Sequence, residues 1–229
     1  LNVGFYFRKK DLSNVTVRRC VIAADVGGHG RMMYELNGED MVVEDSIFLS
    51  GHHETGKWLG GRAKALRVEK AKGMRISRNI FGLDLGNLSW LATEWPGYAN
   101  WPNAVGRLQQ FKEDQNLPRR MGEMSGAIAI FNGSSNVIDQ NIIHLDFDAN
   151  LAGGMAEDHL IYSIRETKIE ITRNWLSGHP NTAGGGLKHR DTWGPGVIAA
   201  NYFNDTPLLL YSYGNGHGGP KDHLFPFDN

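Results

Sequence analysis

Cysteine is almost absent from this 229-residue chain: Cys20 stands alone, which excludes an internal disulfide. No run of about 18 apolar residues occurs, so no membrane-crossing helix is written into the sequence. Net charge is missing too. With 24 Lys and Arg against 25 Asp and Glu, the formal charge is −1, and no polybasic run occurs. Such a chain carries neither the basic field that recruits nucleic acid nor a patch for a membrane surface, so neither partner is expected. A helical apolar period is also lacking. Glycine, in contrast, is abundant at 29 residues, as a chain that turns every few residues requires.

What is present is one short phrase, repeated. It reads Asn14-Val-Thr-Val-Arg-Arg-Cys20-Val-Ile, Met41-Val-Val-Glu-Asp-Ser46-Ile-Phe, Met74-Arg-Ile-Ser-Arg-Asn79-Ile-Phe, Val137-Ile-Asp-Gln-Asn141-Ile-Ile, Ile169-Glu-Ile-Thr-Arg-Asn174-Trp-Leu and Val197-Ile-Ala-Ala-Asn201-Tyr-Phe. Each phrase is a short alternating strand, a small polar residue at a tight bend, and a second apolar pair. Asn suits such a bend because it tolerates left-handed backbone angles and its amide can bond in a ladder of stacked neighbours. A unit this short cannot bury its apolar face alone, so the units must stack.

The spacing selects the kind of stack. Cys20 and Ser46 lie 26 residues apart, Asn174 and Asn201 27, and Ser46–Asn79 and Asn141–Asn174 33 each. These units are too short for propeller blades of roughly 40–45 residues and too irregular for hexapeptide repeats. The expected fold is all-β: a right-handed parallel β-helix, a solenoid forming one domain over residues 1–229. The 62 residues from Asn79 to Asn141 hold a full coil plus a long aromatic-rich insertion, roughly 84–125. It contains Trp90, Trp95, Tyr98 and Trp101, then a charged stretch from Arg107 to Arg120. Their rings either bury against the coil or stack on sugar, with burial the favoured reading. Cys20, at a bend, reads as a buried structural thiol. The chain opens directly in strand-like Val3-Gly-Phe-Tyr-Phe7, from which an upstream signal or first coil is expected to have been removed.

Counting back about twelve residues from each bend places Arg8, Tyr34, Arg67, Ala129, Tyr162 and His189 near equivalent sites on a preceding sheet. A stacked sheet lined on one face by basic, aromatic and amide side chains is a groove, and an extended polymer can lie along it. The densest chemistry is Gly184-Gly-Gly-Leu-Lys-His-Arg-Asp-Thr-Trp193. Three glycines allow close approach to the backbone. On a strand, Lys188 and Arg190 project to one face and His189 to the other. One coil earlier, Tyr162 falls near the same line, and one coil later come Tyr211 and Tyr213.

These phrases resemble a known group. The repeats ending in Asn-(apolar)-Phe, and above all Gly184-Gly-Gly-Leu-Lys-His-Arg-Asp followed by Val197-Ile-Ala-Ala-Asn-Tyr-Phe-Asn204, look like the catalytic coil of right-handed β-helix polyuronate lyases. These are the alginate-lyase and chondroitinase-B group of polysaccharide lyase families six and thirty-one. Where family six carries a catalytic arginine one coil after the lysine, this chain has tyrosine in Leu209-Leu-Tyr-Ser-Tyr-Gly-Asn215, which brings it closer to family thirty-one.

The resemblance implies a secreted, monomeric enzyme acting on an acidic polysaccharide, alginate first, by β-elimination at a uronate. It implies Lys188 as the base and Tyr162 as the acid, with Tyr211, His189 and His159 as alternatives for the acid. Arg190, Asn132 and Arg165 are candidates to stabilise the carboxylate. Arg67, His159, Tyr213 and Trp193 complete the expected substrate-binding set. Some family-six enzymes use Ca²⁺; Glu157 and Asp158 could supply carboxylates, but no Asp-rich cage is spaced for the ion, so no metal or other cofactor is expected to be required. The run His52-His53-Glu54 reads as a loop, since adjacent histidines point apart and spacing supplies no third ligand.

Two other classes compete. A β-helix glycoside hydrolase needs paired carboxylates, whereas Asp146, Asp148, Asp158 and Asp191 are scattered over several coils. A non-catalytic glycan-binding or tailspike-like module would need only the aromatic groove.

Overall fold

A computed structural model describes residues 3–7, 12–24, 31–50, 64–82, 126–144, 159–177, 186–191, 194–204 and 206–211. They form strands and no helix. In chain order the strands are β1 (Val3–Phe7), β2 (Thr16–Arg18), β3 (Val21–Ala24), β4 (Arg31–Leu36), β5 (Val42–Glu44), β6 (Ile47–Ser50), β7 (Lys64–Glu69), β8 (Arg75–Ser77) and β9 (Ile80–Phe81). There follow β10 (Gly126–Phe131), β11 (Val137–Asp139), β12 (Ile142–His144), β13 (Ile161–Ile164), β14 (Glu170–Thr172), β15 (Trp175–Ser177), β16 (Leu187–Arg190), β17 (Val197–Ala199), β18 (Tyr202–Asn204) and β19 (Leu208–Tyr211).

Every third strand pairs in parallel. The first sheet runs β1-β4-β7-β10-β13-β16-β19, the second joins β2, β5, β8, β11, β14 and β17, and the third joins β3, β6, β9, β12, β15 and β18. The chain therefore visits three sheets in each circuit and lays successive circuits side by side. As the apolar alternation predicts, Ile76, Ile138, Ile171 and Ile198 are register partners in the second sheet. The first three are fully buried, and Phe48 and Phe81 stack in the third sheet with ring centroids 4.7 Å apart.

The bend between the second and third sheets divides its work between two residues. The left-handed conformation falls on the residue before the small polar one: Arg19, Asp45, Arg78, Gln140, Arg173 and Ala200 have φ between 51° and 56°. This corrects the expectation that Asn itself adopts it. Each such backbone costs a non-glycine residue on the order of 1 kcal/mol. The cost leaves the Asn side chain directed inward, where it joins a ladder. Asn79, Asn141 and Asn174 are fully buried.

In that ladder the Asn141 Oδ1 accepts from the backbone N–H of Asn79 at 3.0 Å and from its Nδ2 at 3.1 Å. The Asn174 Oδ1 does the same for Asn141, both at 2.9 Å, and the Asn201 Oδ1 for Asn174, again both at 2.9 Å. Each amide also donates to a carbonyl of the preceding circuit's second-sheet strand: Asn79 to Val43, Asn141 to Ile76, Asn174 to Ile138 and Asn201 to Ile171. Ser46 and Cys20 continue the line with shorter side chains, the Ser46 Oγ accepting from the Cys20 N–H at 3.2 Å. Cys20 is half-buried rather than buried, because it ends this line.

Direct contact between Asn79 and Asn141 means that no circuit is stacked between them, although 62 residues separate them. The expected insertion, 84–125, lies outside the described residues.

Register on the first sheet corrects the residue count at both ends. The partners are Tyr6, Tyr34, Arg67, Ala129, Tyr162, Lys188 and Leu209. Tyr6 thus takes the place expected of Arg8, and Lys188 that expected of His189. The link from first to second sheet is a residue longer in the circuit of β16 than in that of β13, since Arg165 and Asp191 are level but Glu170 pairs with Val197.

A second buried anchor sits between the first and second sheets. Glu166 is fully buried and accepts from the Gly133 N–H at 2.8 Å and the Asn136 Nδ2 at 2.7 Å. Asn136 in turn accepts from the Met74 N–H at 2.9 Å. Burial outweighs these donors and raises the Glu166 carboxyl from 4.5 to about 7.

Asn141→Ala is expected to destabilise the fold by about 3–5 kcal/mol, because it strands two buried donors of Asn79 and the Ile76 carbonyl. Asn201→Ala, at the ladder's less buried end, is expected to cost less. Urea unfolding of both variants checks the magnitude and the order; equal, small losses would mean that the ladder does not hold the circuits together.

Candidate functional site on the first sheet

Alternation on the first sheet sends Leu66, Ile128, Ile161 and Leu187, all fully buried, to the interior. The residues one step along point out. Two outward columns result: Arg67, Ala129, Tyr162, Lys188 and Leu209, and beside it Glu69, Phe131, Ile164 and Arg190. Three consecutive circuits thereby bring Phe131, Tyr162, Lys188 and Arg190 together.

Tyr162 is the centre of this cluster. The Lys188 Nζ lies 5.8 Å from its ring centroid and the Arg190 Cζ 5.3 Å, both within cation–π range. The His159 ring is 4.6 Å away and tilted, and Phe131 meets the tyrosine edge-on at 5.6 Å. Arg67 sits over the far side of the group, its Cζ 4.9 Å from the Phe131 centroid, and its Nε donates to Glu69 Oε1 at 2.6 Å. Arg190 Nε is 3.7 Å from Asp191 Oδ2.

Asn132 and Arg165 occupy the rim where the first sheet turns, with φ of 57° and 54°. Asn132 is exposed and its N–H donates to the Ile164 carbonyl; the Arg165 N–H donates to the Arg190 carbonyl. Both stand at the ends of the strands that carry the cluster. His159 is buried beside Tyr162, where it packs the ring.

His189 is corrected. Its side chain is fully buried, in line with Val68, Ile130 and Ser163, and its Nδ1 is 3.0 Å from the Ser163 Oγ. Strand alternation, which puts Lys188 and Arg190 outside, necessarily puts His189 inside. Burial lowers it from 6.5 to about 4, so it is a neutral core residue at physiological pH and has no solvent face to offer a substrate.

The glycine run has a structural occupant. At Gly186, φ is 78° and a Cβ would lie 1.8 Å from the Pro207 carbonyl oxygen. That carbonyl accepts from the Leu187 N–H at 3.1 Å. The close approach to the backbone that the glycines allow is made at Gly186 by the next circuit's chain.

Tyr211 pairs with Arg190 in register, while its side chain, Tyr213, Trp193, Glu157, Asp158 and His52-His53-Glu54 lie outside the described residues. Sequence reasoning missed Phe131 and Glu69. Phe131 ends Gly126-Ala-Ile-Ala-Ile-Phe131, a run apolar at both parities that conceals its outward face. Glu69, two residues after Arg67, was legible in the alternation. Among the described residues no group of three or more His, Cys, Asp or Glu comes together as a metal-ligand set. Comparison of the chain with protein-family models, curated proteins and solved structures returns no match.

Two buried titratable groups, Glu166 and His189, oppose each other. Glu166, raised from 4.5 to about 7, makes stability fall as pH rises through that window, because the unfolded chain gives up its proton first. His189, lowered from 6.5 to about 4, makes stability rise with pH between those values, because the unfolded chain holds the proton. Glu166→Gln is therefore expected to gain on the native chain between about pH 4.5 and 7, by on the order of 3 kcal/mol at the upper end relative to the lower. Urea titrations across that range check it, and a difference independent of pH would refute it.

Proposed function

We propose that the three sheets form a right-handed parallel β-helix and that its first-sheet face binds an acidic polysaccharide and cleaves it by β-elimination at a uronate. Right-handed winding is the near-universal sense for a parallel strand crossover. The observation that carries the functional reading is Tyr162 flanked by two cations from the next circuit, Lys188 at 5.8 Å and Arg190 at 5.3 Å from its ring.

Each group has a role that its chemistry suits. Lys188, through its amine, takes the C5 proton alpha to the carboxylate. Arg190 stabilises the negative charge that gathers on the carboxylate as that proton leaves. The C4–O bond then breaks as the C4–C5 double bond forms, and Tyr162 gives its phenolic proton to the departing oxygen. His159 and Phe131 hold the Tyr162 ring. The reaction consumes no cofactor. An enzyme of this kind works outside the cell, where such polymers occur.

Lys188→Ala is expected to abolish formation of the unsaturated, ultraviolet-absorbing product, while the urea midpoint and polymer affinity change little, because a base contributes mainly in the transition state. Tyr162→Phe, which keeps the ring, is expected to lower kcat at least about a hundredfold. Affinity for the polymer is expected to fall with added salt. Near-native kcat in Lys188→Ala would overturn the lyase reading. Salt-sensitive binding by the native chain, with no unsaturated product from any uronate polymer, would leave a glycan-binding module.

A further inference from the structure

The turn that follows each of five first-sheet strands repeats one backbone conformation with different side chains. Asn37, Lys70, Asn132, Arg165 and Asp191 occupy it, with φ of 59°, 58°, 57°, 54° and 52°. They are level from circuit to circuit: the Asn37 N–H donates to the Glu69 carbonyl, Lys70 to Phe131, Asn132 to Ile164 and Arg165 to Arg190. Amide and cationic side chains fill the same turn, so its backbone does not call for a carboxylate. Of these five positions, the one that carries a carboxylate belongs to the circuit of Lys188 and Arg190.

Strand alternation would send the residue after outward-facing Arg190 to the interior. The left-handed turn instead brings the Asp191 carboxylate back beside Arg190, with Oδ2 3.7 Å from Nε. The two side chains are 16% and 9% exposed, and both of these atoms are buried. This is an ion-pair distance rather than a hydrogen bond, and with water largely excluded the attraction is weakly screened. It acts on a guanidinium whose place matters, since the Arg190 Cζ lies 5.3 Å from the Tyr162 ring centroid and the Lys188 Nζ, drawn to the same ring, lies at 5.8 Å. Two cations gathered on one ring repel each other, and a carboxylate beside one of them offsets that repulsion. An anion at Nε also steers the guanidinium by its inner nitrogen, whereas the fork that matches a substrate carboxylate is the terminal pair.

We infer that Asp191 is a positioning residue: it sets the Arg190 guanidinium against Tyr162 so that its terminal nitrogens meet the uronate carboxylate as charge gathers there. This rests on the proposed β-elimination at the first-sheet face and adds to it the group that aims the arginine. Asp191→Asn tests it, because it removes the charge, keeps the size and places in the turn a residue that Asn37 and Asn132 show it accepts. On a uronate polymer that the native chain cleaves, kcat is expected to fall about tenfold while the urea midpoint stays near native. KM is expected to hold or fall, since loss of a carboxylate makes the face more positive toward an anionic polymer. In an Arg190→Gln background the same substitution is expected to change kcat less than about twofold, the residue it positions being gone.

Near-native kcat in Asp191→Asn, a raised KM with kcat unchanged, or an undiminished tenfold loss in the Arg190→Gln background would overturn the inference and leave the lyase reading standing. Absence of unsaturated product from the native chain on polymannuronate, hyaluronan and pectate would remove the lyase reading instead. The same pair of substitutions is then read as affinity for polymannuronate by affinity electrophoresis. An effect of Asp191→Asn that requires Arg190 keeps the positioning role, and an equal effect in both backgrounds, or none in either, overturns it.

Discussion

Everything in this chain depends on a buried amide ladder. A parallel stack of short strands has no helix or hairpin to fix one circuit against the next, and strands of three residues give few backbone bonds each. The side chains of Asn79, Asn141, Asn174 and Asn201 supply what the strands lack: the last three each accept two donors of the preceding Asn, Asn79 accepts the Ser46 N–H, and all four donate to a carbonyl of the preceding second-sheet strand. Sheltered from water, such bonds leave little freedom for slippage, because a shift of one residue would leave several polar groups buried without partners. The left-handed residues before each Asn are strained to allow this. Their strain is local, and the ladder's bonds are shared between circuits.

That shared register explains where the chain varies. Between β13 and Asn174 the path length is the same as between β7 and Asn79, whereas the return from third to first sheet ranges from the short link between Asn204 and Leu208 to the stretch between Phe81 and Gly126. An excursion on the return path does not disturb the ladder, as the Asn79–Asn141 contact demonstrates. The largest variation in length therefore falls at one corner of the circuit, beside the entry to the first-sheet face.

Much of this was legible in the sequence, and the reasons for the rest are specific. The repeated phrase carried the stacking order of Cys20, Ser46, Asn79, Asn141, Asn174 and Asn201 because apolar alternation and a small polar bend residue leave few alternatives. Assigning the left-handed angle to Asn failed because two properties of Asn, tolerance of that angle and a bonding amide, suit different positions, and only the second is used. Counting by a fixed interval placed His189 beside Tyr162 because one extra residue after Asp191 is invisible without knowing where β17 begins. Alternation within Leu187-Lys-His-Arg190 was the better guide: it turns Lys188 and Arg190 outward and buries His189. Phe131 escaped because its strand is apolar on both faces, a pattern that ordinarily marks complete burial.

The same alternation links the core to the site. His189 hydrogen-bonds Ser163 inside, directly across the β13–β16 pairing that sets Tyr162 against Lys188 outside. A polar pair set between Ile130 and Leu210 in register makes that pairing directional, since moving β16 by one residue would exchange a satisfied imidazole for a buried cation. The inward histidine therefore acts on the outward face only through position. It holds the circuit at the register in which Lys188 and Arg190 both reach the Tyr162 ring.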